Sequence, residues 1–201
     1  MGQRLVITVN KNGEDIAKLY YHWSAYSVNA LLETRDIINV LYDDENEEKD
    51  LRLRLIRFCE KNGGGIDGGE NSDEWKRITE MYPNEVFKKD NISRNYGLIA
   101  LSEDGMADME NWSEGNVYIE MDEDRVINYV NCCYESIYEY NKQRLTWDDY
   151  FVPLTLESLP QINYDLSDFS VDDIDVVIME LKSFNGYVCR DKYDTVYELI
   201  A

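Results

Sequence analysis

The only histidine in the chain, His22, stands inside an aromatic run, Tyr20-Tyr21-His22-Trp23-Ser24-Ala25-Tyr26. A lone imidazole excludes multi-histidine metal centres and the H-E-x-x-H zinc motif. What it leaves is hydrogen bonding or general acid-base work. Ser24 and Ser27 lie close by, but a nucleophile needs a base and an orienting group, and the sequence holds neither a G-x-S-x-G elbow nor a catalytic-cysteine context. With Arg4 upstream, one reading is a ligand pocket built from Arg4, Tyr21, His22, Trp23 and Tyr26. The other is an imidazole satisfied by a backbone carbonyl or a carboxylate at a strand end. On an extended segment His22 and Ser24 share one face, and Tyr21 and Trp23 share the other.

Other chemistry-bearing patterns are weaker. Asp104-Gly105 with Asp108 and Glu110, and the Asp122-Glu123-Asp124 turn, offer oxygens to a hard cation. Neither matches the twelve-residue calcium loop, which places its glycine sixth. Gly63-Gly64-Gly65-Ile66-Asp67-Gly68 spells G-x-G-x-x-G, but it follows a helix pattern rather than a strand, outside any βαβ context. No glycine-rich stretch ends in Lys followed by Ser or Thr, so a P-loop is absent. Cys59, Cys132, Cys133 and Cys189 have neither zinc spacing nor a disulfide framework, and free buried thiols are expected. The expectation is therefore no catalytic residues, no cofactor and no metal.

Charge points elsewhere. The 201 residues carry a net charge of −21, unevenly spread. Residues 1–101 hold 18 acids and 14 bases, whereas residues 102–201 hold 23 acids and 6 bases. Such a field repels nucleic acid and anionic membranes and attracts basic surfaces. Duplex DNA places one phosphate per about 1.7 Å of axis, so imitating about 20 Å of it takes about a dozen carboxylates. The acids expected to face a partner are Glu120, Asp122, Glu123, Asp124, Asp148, Asp149, Asp172, Asp173 and Asp175. A solvated, aggregation-resistant surface accounts for the same composition.

These residues need a scaffold to position them. An apolar fraction of 44% and 16 tyrosines fit a folded chain, and the length suits a single domain. No run of about 18 apolar residues occurs and the N-terminus lacks a secretory pattern, so a soluble, cytoplasmic protein is expected. Arg4 to Val9 and Ile16 to Trp23 read as a hairpin, with Asn12-Gly13 supplying left-handed turn positions. Helices are expected at about 28–42, capped by Ser27, at 47–61, at 73–81 and at 171–184, with a further turn at 84–89. Strands are expected at 96–101, 117–121, 125–130 and 136–140, with a turn at Glu103-Asp104-Gly105. Residues 145–169 read as irregular, and the tail from Tyr187 as strand or short helix, the pattern not deciding between them. The fold class is α+β: an antiparallel sheet begun by the N-terminal hairpin, with about four helices packed on it.

The opening residues also carry a resemblance. Met1-Gly2-Gln3-Arg4, an apolar strand, an Asn/Gly turn and Leu19 to Tyr26 resemble a set of small, mostly uncharacterised proteins of phages and prophages. Their N-termini read M-G-T-R, followed by a hairpin and Y-R-Q-W-D-G-Y-P. Met1, Gly2, Arg4, Tyr20, Trp23 and Tyr26 agree with that pattern, while Gln3, Tyr21, His22, Ser24, Ala25 and Ser27 depart from it. Asn95-Tyr96-Gly97-Leu98-Ile99 echoes a later strand of the group. The resemblance spans about 27 residues and implies a mobile-element origin, with no established activity. Phage accessory proteins of this size often act on host restriction or CRISPR machinery. The leading expectation is thus a non-enzymatic, acidic inhibitor, anti-CRISPR or anti-restriction in kind, that binds a basic nucleic-acid-handling host protein and neither nucleic acid nor membrane. The alternative is an enzyme or small-ligand binder using the pocket around His22.

Overall fold

The computed structural model describes residues 4–25, 28–43, 47–111, 113–122, 125–133, 151–153 and 186–189. Their centre is β1 (Leu5–Lys11), every residue of which from Leu5 to Asn10 is buried. It turns through Asn12 and Gly13, at φ 55° and 88°, into β2 (Glu14–Tyr21). Two consecutive positive φ values match the right-handed twist of the flanking strands, which is why Asn-Gly serves here. The Asn10 side chain fixes the turn, its Oδ1 accepting from Gly13 N at 2.9 Å and its Nδ2 donating to Asp15 at 2.8 Å.

Three helices lie on one face of the sheet. The first, α1 (Val28–Tyr42), has the expected bounds; its proposed cap, Ser27, lies outside the described residues. Next, α2 (Leu51–Asn62) starts later than the acidic run suggested, because Asp50 is the cap, accepting from Arg52 N and Leu53 N. It stops at Gly63, whose left-handed φ of 102° turns the chain so that Gly64 N reaches Cys59 O. Finally, α3 (Asp73–Met81) is capped by Ser72, as its Ser-Asp-Glu-Trp start implied. No helical turn forms at 84–89; instead Phe87 packs edge-on against Trp75 and Tyr82.

After α2 come a two-residue strand, β3 (Gly65–Ile66), and later β4 (Leu98–Ala100). The Glu103-Asp104-Gly105 stretch read as a turn is instead the start of α4 (Glu103–Glu110), with Ser102 accepting from Gly105 N. Then follow β5 (Gly115–Asp122), β6 (Arg125–Cys133), β7 (Phe151–Pro153) and β8 (Gly186–Cys189). The 136–140 strand, the 171–184 helix and most of 145–169 and of the tail lie outside the described residues.

The strands form one sheet in the order β3-β4-β2-β1-β5-β6-β8-β7. The α+β class holds, with the N-terminal hairpin at its heart, but the sheet is mixed rather than antiparallel. β1 runs parallel to β5, β3 to β4, and β6 to β8. The cause is connectivity: the long excursion from β2 through α1, α2, α3 and α4 returns the chain to the same end of β1 from which it began.

Burial on two faces explains the continuous apolar run of β1. Leu5, Ile7 and Val9, with Leu19 and Tyr21 on β2 and Val117 and Ile119 on β5, form the main core under α1, α2 and α3. Val6, Leu98 and Ala100 face the other way, against Met106 and Met109 of α4. On that second face the cross-strand neighbours Thr8, Lys18 and Tyr118 are also buried. It is therefore polar where α4 does not cover it with methionine.

Candidate functional site

The regular strand β2 ends at Tyr21, two residues before the expected strand end; His22 is a turn residue whose N donates to Arg94 O at 3.1 Å, and Trp23 makes an isolated bridge. This break separates the side chains differently from a regular strand. Tyr21 is fully buried in the core, whereas Trp23, expected on the same face, is 49% exposed. Ser24 is buried and His22 is half-buried, so this pair does not share an environment either.

His22 lines a cleft of about 550 Å³ together with Arg4, Tyr20, Asp67, Arg94 and Asp108, floored by Leu98 and Met109. Each wall has a separate origin. Arg4 precedes β1 and is held by Glu114, Nε to Oε2 at 3.2 Å and NH2 to Oε1 at 3.1 Å, while its own backbone N–H donates to the same carboxylate at 3.1 Å. Burial works against ionising Glu114, yet these Arg4 contacts hold its carboxyl below the usual range. Tyr20 projects from β2, and its hydroxyl lies 2.8 Å from His22 Nδ1. When Nδ1 accepts the phenolic proton, Nε2 carries a hydrogen and becomes the nitrogen available to a ligand. Desolvation raises the Tyr20 phenol's pKa, offset in part by the Arg4 and Arg94 guanidiniums.

Asp67 arrives on the glycine-rich loop after β3. Partial burial raises its carboxyl, opposed by the Gly68 N–H and by Arg94. The same loop answers the G-x-G-x-x-G question physically. Gly64 N, Gly65 N and Asp67 N donate to Cys59 O, Gly97 O and Ile99 O. These N–H groups are committed to the fold and do not cradle a phosphate, so the dinucleotide motif is a coincidence of spelling.

Of the five residues of the sequence-derived pocket, the structure brings Arg4 and His22 to the cleft; Trp23 does not line it but meets the His22 imidazole edge-on at 4.7 Å between centroids. Tyr21 belongs to the core instead, and Tyr26 lies outside the described residues. Sequence reasoning missed Tyr20, Asp67 and Arg94. Tyr20 was legible as the i, i+2 neighbour of His22 on a strand, but Asp67 and Arg94 come from loops brought together by the short β3–β4 pairing. Among the described lining residues there is no Ser, Thr or Cys, so the cleft offers no hydroxyl or thiol nucleophile beyond the phenol of Tyr20.

Helix α4 also borders a second cleft, of about 540 Å³, lined by Asp15, Lys18, Arg52, Glu103, Glu110 and Tyr118 among others. The buried Lys18 ammonium sits 3.1 Å from Glu110 and 3.9 Å from Asp15. Its compensated charge ties α4 to β2. Among the described residues no cluster of three or more His, Cys, Asp or Glu side chains could hold a metal ion. Glu120 and Asp122 lie on β5, paired in register with Asn128 and Arg125 of β6. Glu123, Asp124, Asp148, Asp149, Asp172, Asp173 and Asp175 lie outside the described residues. In the described part, several acids are neutralised locally: Glu14 by Arg52, Glu85 by Arg57, Asp73 by Lys76 and Asp104 by Arg77.

No helix of the described residues is long and apolar enough to cross a membrane. The sequence matches no protein-family model, and no curated protein and no solved structure matches it.

Proposed function

We propose that the protein binds a small organic anion in the cleft around His22. The observation that carries this reading is the convergence of two guanidiniums, an imidazole and a phenol on a cavity of about 550 Å³ with an apolar floor. A volume of this size and a few convergent polar groups over apolar side chains are what small-molecule sites share. The paired cations and hydrogen-bonding groups over an apolar floor support binding of such a ligand. A ligand that binds only the folded state raises the melting temperature by mass action. Screening small anions by thermal shift should find such a ligand, and Arg94→Ala or His22→Ala should abolish the shift while leaving the melting temperature without ligand within a few degrees. Absence of any stabilising anion, or a shift untouched by both substitutions, would sink the proposal.

A second reading rests on charge. In residues 1–101 acids such as Glu14, Glu85 and Asp73 are paired with bases, while residues 102–201 carry 23 acids against 6 bases. This surplus favours a basic partner such as a host defence or nucleic-acid-handling protein. The resemblance of the N-terminus to phage proteins supports the same partner class, and the free, buried Cys59 suits a reducing cytoplasm. Affinity purification from a bacterial host at low and moderate salt tests it. A confirmed complex that is indifferent to salt and survives Lys at positions 122, 123 and 124 would rule out electrostatic mimicry.

A further inference from the structure

We infer that the anion is a mononucleotide, with its phosphate toward Arg94 and His22, its ribose hydroxyls toward Asp67 and Asp108, and its base stacked on Trp23. The inference rests on the small-anion reading of the cleft and adds the ligand's class. Three features of the site argue for it. The cleft pairs cations with acceptors: Asp67 and Asp108 line the same cavity as Arg94 and His22, so the occupant must present hydrogen-bond donors as well as negative charge. A simple inorganic anion or a dicarboxylate satisfies the cations and leaves those carboxylates facing like charge. A sugar phosphate satisfies both, because vicinal hydroxyls donate to a carboxylate while the phosphate accepts from guanidinium and imidazole.

The second feature is Trp23. The indole, on the residue that follows His22, is 49% exposed and so offers a flat apolar surface open to stacking. Its edge-on contact with the His22 ring, 4.7 Å between centroids, ties its position to the imidazole that lines the cavity. Stacking of a nucleobase on such a ring is tolerant of base identity, so the inference extends to purine and pyrimidine alike. The third is charge on the whole chain. At −21 the protein repels anions at long range, and screening confines attraction to about 8 Å at physiological salt. Recognition must therefore be local, and a single phosphate with donors attached fits better than a polyanionic strand.

The test compares AMP, CMP, ribose 5-phosphate, adenosine and inorganic phosphate by calorimetric titration against the full chain, with the Trp23→Ala, Trp23→Phe and Arg94→Ala variants beside it. The expected result is that both mononucleotides bind about tenfold more tightly than ribose 5-phosphate, the factor that one stacked base supplies. Trp23→Ala should bring the nucleotides down to the ribose phosphate value, with Trp23→Phe in between, and Arg94→Ala should weaken every phosphate. Equal affinity for nucleotide and ribose phosphate, or a Trp23→Ala loss that strikes ribose phosphate equally, overturns the base-stacking inference and leaves the cleft reading intact. Binding of a different organic anion with no response to any phosphate also overturns the nucleotide while sparing the cleft. Failure of every phosphate and every other organic anion removes both.

Discussion

Glu33 on α1 is half-buried, faces the otherwise unpartnered Tyr21 hydroxyl, and has Asp36 nearby. Burial first, and repulsion from Asp36 second, push its carboxyl up to about 7. An unfolded glutamate titrates near about 4.3. Between these values the folded state holds the proton and the unfolded state does not, so this group's contribution to stability is intact at low pH and is lost as pH rises toward 7 and above. Glu33→Gln removes the penalty. Urea unfolding should show the variant equal to the parent near pH 4 and more stable near pH 8 by on the order of 2 kcal/mol. An unchanged difference between the two pH values would place the carboxyl's environment elsewhere.

Glu74 is buried with its side-chain oxygens hydrogen-bonded. It takes Leu101 N at 2.6 Å and Ser102 N at 3.1 Å, and also the Ser102 hydroxyl, so it pins α3 to the start of α4. Truncation leaves buried donors unsatisfied, each costing about 1–3 kcal/mol. Glu74→Ala should therefore lower unfolding free energy by about 3 kcal/mol or more, measured by the same urea titration. A loss under about 1 kcal/mol would show that water replaces the carboxylate without cost. Neither residue stood out in the sequence, because 41 acids hide the two whose surroundings are unusual.

At the scale of elements, the hairpin, α1 and α3 were legible because their signals are local: alternation, Asn-Gly, helical spacing and a serine cap. What was hidden depends on distant pairing. β3 is only Gly65 and Ile66, whose strand character exists only because Gly65 N and Asp67 N find Gly97 O and Ile99 O. α4 was masked by Asp104-Gly105, a turn signal, although Ser102 in front of it and Met106 and Met109 three apart were helix signals. Gly64, just before β3, lies against Gly97, just before β4: a Cβ there would run into the Gly97 carbonyl. Gly64→Ala should cost about 3 kcal/mol or abolish folding. Gly69→Ala is the control. Its φ of 69° is strained for alanine but nothing lies within 4 Å, so the cost should be about 1–2 kcal/mol. Circular dichroism melts separate the two, and equal losses would refute the steric account.

Over the whole molecule, the charge of −21 opposes compaction and is screened by salt. The melting temperature should therefore rise between about 10 mM and 300 mM sodium chloride, without ligand. A flat or falling curve would mean that the local ion pairs, which salt weakens, outweigh the general repulsion. The mixed character of the sheet belongs to this scale too. The alternation in β1 shows a strand, but its apolar run on both faces is silent about direction, so whether β5 lies parallel or antiparallel to it was not legible from either segment.

That parallel pairing has a consequence for how the chain is made. Arg4 meets Glu114 across 110 positions of sequence, and β1 cannot acquire its second neighbour until β5 has been synthesised. Between the completion of the hairpin at residue 21 and the arrival of residue 122, a ribosome adding about 5–20 residues per second takes roughly 5–20 s. Throughout that interval one edge of this buried, largely apolar strand is unzipped, and Arg4 has no Glu114 carboxylate to hold it. The nascent chain thus carries an unpaired apolar edge through mid-translation, and the Arg4 wall of the cleft is fixed only when Glu114 and β5 dock.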